Sequence, residues 1–209
     1  MIAKAMNTKF YAGTPLNTQQ NNQTLREAML VEQISHSDEH ALEQLYHLYY
    51  NRLFRFIARI TRCDVLIDEI INDVMYVVWE KAACYDQKCK PSTWIFGIAF
   101  NKARQAVRNH TLHQEESLDD IDQDSAWLST LDSGLHQMEM DDWLGAAFNK
   151  LSPEQRAVIE LTYYEGLSYS EIAVIMDCPE NTVKTRMHHA RKNLAKILNS
   201  MNDNKAYVI

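Results

Sequence analysis

Glycine and proline are scarce, 5 and 4 among 209 residues, where ordinary usage would be about 7% and about 5%. A sandwich or barrel of short strands needs many turn residues, so this scarcity excludes a turn-rich all-β fold and favours long, rarely interrupted helices. No apolar run approaches the ~20 residues of a membrane-spanning helix. The opening MIAKAMNTKFYAG has no apolar stretch with a cleavage site behind it, so neither secretion nor membrane insertion is expected and a cytoplasmic location is. The 4 cysteines form no regular framework, which fits a reducing compartment better than a stapled scaffold. Against these absences stand 46% hydrophobic and 23% charged residues, a composition that excludes wholesale disorder.

The formal charge of −7, taken whole, disfavours a polyanionic partner. It is unevenly spread. Residues 109–142 hold ten acids and no Lys or Arg, so the remainder of the chain carries +3. Lys88, Lys90, Lys102, Arg104 and Arg108 lie in a stretch without an acid, and Lys184, Arg186, Arg191, Lys192 and Lys196 face only Glu180. Two basic helices separated by an acidic connector point to two phosphate-facing surfaces, with solvated helix faces as the plainer alternative for either one alone.

Periodicity divides the chain. Residues 1–24 are polar, Asn/Gln-rich and without period, which predicts a disordered tail. Leu25, Met29, Leu30 and Ile34 mark a short amphipathic helix, and Ser37 is placed to cap the next, which runs to about Thr61. A third helix over about 64–82 buries an Ile/Val face and presents Asp68, Glu69, Asn72, Asp73 and Glu80. A polar loop, 85–91, leads into a fourth helix over about 92–109. An acidic linker is expected over 110–137, with one helical turn near 126–131. A second module follows over 138–200, with a tail over 201–209. Ser152-Pro153-Glu154-Gln155 and Ser168-Tyr169-Ser170-Glu171 are helix-opening capping boxes, and Gly166 is a left-handed terminator between them. The expected fold is all-α, two small helical domains joined by an acidic linker.

A short helix to Met176, the turn Asp177-Cys178-Pro179 and a longer basic helix from Glu180 have the layout of a helix-turn-helix. Ile172, Ala173, Met176, Val183, Met187 and Ala190 would pack inside. Asn181, Thr182, Lys184, Thr185, His188 and His189 would face outward, where short polar and basic side chains suit base edges and phosphates in a major groove. A helical hairpin packed against protein is the competing reading.

These residues carry a resemblance. From Leu151, LSPEQRAVIELTYYEGLSYSEIAVIMDCPENTVKTRMHHARKNL closely resembles the promoter-binding region 4 of extracytoplasmic-function sigma factors, members of the sigma-70 family of RNA polymerase subunits. DEIINDVMYVVWEKAACYD at 68–86 and STWIFGIAFNKARQAVR at 92–108 resemble their region 2. The resemblance implies that Glu69, Asn72 and Asp73, with the neighbouring Asp68, engage the clamp of the polymerase's largest subunit. It implies that loop 85–90, with Lys88 and Lys90, captures a base of the downstream promoter element near Asn101, and that Lys102, Arg104 and Arg108 contact phosphates. Trp94 aligns with the family's melting-region tryptophan, where stacking is worth ~1–3 kcal/mol per base; flanked by Ile95 and Ile98 it serves equally well as core. Lys184, Thr185, His188 and His189 align with base-proximal positions for the upstream element, and Arg186 and Arg191 with backbone contacts. Pro91, Gln105, His188 and His189 depart from the family's usual residues, which bears on the promoter sequence read. The implied partners are core RNA polymerase, promoter DNA and an anti-sigma protein.

No catalytic set, cofactor, metal site or small-molecule substrate is expected. Asp119, Asp120, Asp122 and Asp124 lack the glycine turn and closing Glu of a calcium loop. Cys84-x4-Cys89 with Cys63, His110 or His113 has only loose spacing for zinc, and the thiols sit in or beside apolar helices, so ordinary free cysteines are expected. A one-component helix-turn-helix regulator acting without polymerase is the alternative, and it would need a sensor pocket in the N-terminal half.

Overall fold

A computed structural model describes residues 16–61, 63–116 and 147–205. In chain order its helices are α1 (Leu16–Ser35), α2 (Glu39–Thr61), α3 (Ile67–Lys81), α4 (Pro91–Glu116), α5 (Pro153–Tyr163), α6 (Tyr169–Ile175) and α7 (Glu180–Lys205), with 3-10 turns at Asp64–Leu66 and Ala82–Cys84 flanking α3. The expected turn near 126–131 and most of the acidic linker lie outside the described residues.

Helix ends follow local chemistry. Ser152 and Ser168 each accept a bond from the backbone N–H three residues on, while Gln155 and Glu171 reach back to the cap backbone, so both capping boxes form. Gly166 takes φ 65°, and the Leu167 N–H then closes back on the Leu161 carbonyl at 3.0 Å. The cap of α2 differs from expectation. Asp38, not Ser37, accepts from the His40 and Ala41 amides at 2.9 and 3.1 Å; Ser37 sits at φ 64° as part of the turn. The expected disordered tail is corrected over residues 16–24, because α1 begins at Leu16 rather than Leu25; residues 1–15 lie outside the described residues. A run of Gln and Asn lacks apolar period, yet Gln is a good helix former, and Gln23 bonds Glu27 one turn on at 3.0 Å. Helix α4 likewise continues past Asn109 to Glu116.

Helices α1–α4 pack on one another, with α2 central. Leu45, Tyr49, Leu53, Phe56 and Ile57 of α2, Ile67, Ile71, Val74 and Val78 of α3, and Ile95 and Phe96 of α4 are fully enclosed. In the second module Ile172, Met176, Val183, Met187 and Ala190 are buried and Ala173 half-buried, the interior expected of a helix-turn-helix. The two modules are not held apart. Helix α2 lies on α5, α4 lies on α6, and the buried apolar residues form one continuous cluster. Gly97 lies at the second crossing, where a Cβ would meet Ile175 Cα at 3.9 Å, an ordinary packing contact.

Candidate nucleic-acid and partner interfaces

Helix α7 carries the first surface. Asp177, at φ 47°, reverses the chain after α6, and the Pro179 carbonyl accepts from Thr182 at 2.8 Å. Asn181, Lys184, Thr185, His188 and His189 are exposed and Thr182 half-buried. Their neighbours hold them lightly. Lys184 pairs with Glu180 at 2.8 Å, both about half exposed, an interaction worth ~0.3–0.5 kcal/mol that a phosphate or base readily replaces. The Thr185 hydroxyl donates to the Asn181 carbonyl at 2.9 Å, which leaves its oxygen free to accept. Arg186 is placed otherwise: half-buried, its Nη1 lies 3.5 Å from Cys178 Sγ and 3.9 Å from Met176 Sδ, bracing the turn. Arg191 donates to the Tyr163 hydroxyl at 2.9 Å, tying α7 to α5.

The loop before α4 and the exposed face of α4 form the second surface. Trp94 is half-buried and stacked on Tyr85, ring centroids 5.0 Å apart and planes 27° apart, so one aromatic face is already covered. The Tyr85 hydroxyl donates to the Cys89 carbonyl. Burial, with Cys89 and Asp86 nearby, pushes this phenol up to about 12, so it stays a donor at neutral pH. Gln87 at φ 58° sharpens the turn, and Asp86 accepts from the Lys88 amide at 3.1 Å. Asn101, Arg104 and Arg108 are exposed at three- and four-residue spacing, one stripe along α4. Lys102 is drawn to Asp73 at 2.9 Å, and Lys90 to Glu171 of α6 at 2.8 Å. The expected downstream-element residues therefore divide into a stripe on α4 and a loop facing the other module.

Helix α3 presents the acidic surface. Glu69, Asn72 and Asp73 are exposed. Asp68 accepts from the Tyr50 hydroxyl at 2.8 Å, a bond that raises the Tyr50 pKa. The stripe continues to Tyr76, which is 60% exposed and donates to Glu80 at 2.7 Å. Periodicity alone marks Tyr76, since it follows Asn72 by four residues, but a tyrosine among valines reads as core.

A feature that periodicity does not reveal lies between the modules. Arg52, Arg55 and Arg59 make a stripe along α2 at three- and four-residue spacing. Arg52 donates twice to Glu165 Oε2, at 2.8 and 2.6 Å, and once to Glu27 of α1 at 3.0 Å. Its guanidinium lies 4.5 Å from the Tyr49 ring centroid. Arg156 of α5 reaches back to the Ile60 carbonyl at 3.3 Å.

Glu160 is the poorly satisfied member. Its side chain is 2% exposed, Arg59 Nε stands 4.0 Å from Oε2, and that oxygen accepts no hydrogen bond among the described residues. Burial raises its pKa against the pull of Arg59 and Arg55. The native state thus holds the Glu160 proton more tightly than the unfolded chain does, so this group's contribution to stability falls as pH rises above the ordinary carboxyl value. Thermal melts of Glu160→Gln and wild type over a pH series that starts at the ordinary carboxyl value of about 4.5 should show the wild type losing ground as pH rises. Each kcal/mol moves Tm by roughly 2–4 °C in a chain of this size. Melting temperatures that track in parallel across that range would remove Glu160 as the cause.

No helix among the described residues is long and apolar enough to cross a membrane. Family comparison matches residues 45–112 to Sigma-70 region 2 and residues 141–194 to Sigma-70, region 4. The chain is 27% identical over 159 residues to the ECF RNA polymerase sigma factor SigM of Bacillus subtilis, covering 76% of this chain and 95% of that one. It is 29% identical over 164 residues to the ECF RNA polymerase sigma factor RpoE of Cereibacter sphaeroides, covering 76% and 87%. In fold it is similar to CnrH solved with the cytosolic domain of CnrY, at TM-score 0.61 and 20% identity over 84% of this chain and 98% of that one. It is also similar to the sigma factor RpoE of Bartonella quintana solved with the anti-sigma factor NepR, at TM-score 0.59 and 23% identity over 75% and 96%. Two family regions in the right order, on helices with the geometry just described, make this chain a member of the sigma-70 family, in its extracytoplasmic-function group.

Proposed function

We propose that the chain directs core RNA polymerase to specific promoters and assists their opening, working in the cytoplasm and performing no covalent chemistry itself. The observation that carries this is the combination in one chain of an acidic helix face (Glu69, Asn72, Asp73), an adjacent aromatic and basic helix (Trp94, Asn101, Arg104, Arg108) and a separate helix-turn-helix whose second helix exposes Lys184, Thr185, His188 and His189. Exposed acids on an otherwise buried helix suit the basic clamp of the polymerase's largest subunit. Helix α7 suits the major groove of the upstream element, and the α4 stripe suits phosphates around the downstream one. The complex in which Bartonella RpoE was solved, with the anti-sigma factor NepR, supports a comparable anti-sigma partner here.

Run-off transcription with core enzyme on a randomised promoter library tests the reading. The expected result is enrichment of two sequence elements at fixed spacing. Operator binding without any polymerase-dependent transcription would replace it with a one-component regulator. Charge reversal at Glu69 and Asp73 should weaken core association about tenfold, or about 1.4 kcal/mol. Unchanged affinity in a competition assay would discard these residues as clamp contacts.

A further inference from the structure

His188 and His189 stand side by side on the exposed face of α7, ring centroids 5.7 Å apart and planes edge-on at 73°. Successive helical residues point about 100° apart, so when one ring is turned to the floor of a groove the other is turned to a strand of the backbone. Thr185 precedes the pair by one turn and Lys192 follows by one, all exposed. Cations surround them. Lys184 and Arg191 also lie within a turn of His188, and the sequence of α7 has no Asp or Glu between Glu180 and Asp203. Glu180 itself is taken by Lys184. The elements packed against α7 are α5 and α6, and their charges are directed elsewhere. On α5, Glu160 and Arg156 turn toward α2, and Tyr163 is held by Arg191. Glu154 lies beside Gln155, which meets Asn193 at 3.4 Å, a turn beyond the pair. On α6, Glu171 is taken by Ser168 and Lys90, and Tyr169 packs on the core. In the turn ahead of α7, Cys178 lies against Arg186, beside Asp177. Neither histidine forms an ion pair with an acid among the described residues.

A neutral imidazole offers one donor and one acceptor, whereas a charged one donates from both nitrogens. Two donors match phosphate oxygens and the N7 and O6 acceptors of guanine. Imidazole is also the side chain whose ordinary titration lies nearest physiological pH. On this acid-free face the missing counter-charge is DNA. We propose that His188 and His189 make the grip of α7 on duplex DNA proton-linked: the rings take up charge as the helix enters the major groove, and binding tightens as pH falls. This linkage rests on the reading of α7 as the upstream-element helix. The complex holds more protons than the free chain, so affinity is gained below the imidazole range and lost as pH rises through it. A fall in pH then strengthens upstream contacts without any change of fold.

The test is fluorescence anisotropy of the full chain with short random-sequence duplex DNA, at constant low ionic strength, from about pH 8 to about pH 6. Wild type should bind about tenfold more tightly at the acid end, and its salt slope there should be steeper by about one to two. His188→Gln combined with His189→Gln should flatten both trends. His188→Lys combined with His189→Lys, which carries the charge permanently, should keep the acid-end affinity at every pH. Both positions are exposed, and Gln and Lys are better helix formers than His, so both variants should match wild type in circular dichroism. An affinity that does not change with pH, or a pH dependence that survives the glutamine pair, overturns the proton linkage and leaves the assignment of α7 standing. No duplex binding at either pH, or binding that the glutamine pair together with Lys184→Ala leaves unchanged throughout, overturns the assignment of α7 and the linkage with it.

Discussion

Replacing Lys184 and Thr185 with alanine should lower the protein's preference for an intact over a scrambled upstream element by about fivefold to 150-fold for each base that is no longer read, equivalent to about 1–3 kcal/mol each. Both side chains are exposed on α7. Alanine is the strongest helix former, and the Glu180 pair that disappears is worth only ~0.3–0.5 kcal/mol. The helix-turn-helix interior of Ile172, Met176, Val183 and Met187 is untouched, so folding stability stays near wild type and the effect falls on readout. Competitive transcription from the two templates measures it. A salt series separates the two side chains: if Lys184 meets a phosphate, its replacement reduces the salt slope by about one and weakens all sequences alike. An unchanged ratio of intact to scrambled transcription would move sequence reading to other positions on the helix, with His188 and His189 the next exposed pair.

Phe96→Ala in the α2–α4 core should cost about 3–5 kcal/mol of a total stability that is typically about 5–15 kcal/mol. Phe96 is fully enclosed. Its ring meets Phe56 edge-on at 5.2 Å and Tyr49 at 6.3 Å, and the Arg52 guanidinium stands 5.4 Å from its centroid. Truncation removes a wall of the α2–α4 core and one of the two rings against which Arg52 is stacked. The damage therefore reaches the Glu165 clamp as well as the apolar interior. Equilibrium denaturation checks the size of the effect, and a change below about 1 kcal/mol would mean that the site collapses around the gap.

Much of this architecture is legible in the sequence because it is local. The two capping boxes, the Gly166 terminator and the Asp177 turn are fixed by residues within six positions of each other. The structure forms each of them as the spacing dictates. The apolar face of α2 is equally readable, since Leu45, Tyr49, Leu53, Phe56 and Ile60 recur at helical spacing. What composition hides is the start of α1, where Asn and Gln give no amphipathic signal, and the cap of α2, where Asp38 outcompetes Ser37. Of the site residues, exposure on α7 and on the acidic side of α3 follows from periodicity. The inward turn of Arg186 does not, because a long side chain can fold back onto sulfur atoms of the turn that sequence alone cannot position. The seam is invisible for a different reason. Arg52 and Glu165 are 113 residues apart, and a stripe of arginines on an amphipathic helix is indistinguishable from a solvated face until its acidic counterpart is located.

Arg52 has one more consequence. Its planar head serves Glu27 and Glu165 at once, so the first helix shares a hub with the DNA-reading half of the molecule. A lysine at that position could offer neither the fork nor the flat stacking surface. Anything that unwinds the amino-terminal helix, whether a fusion, a protease cut or a bound stranger, thereby reaches a promoter-facing element that it never touches.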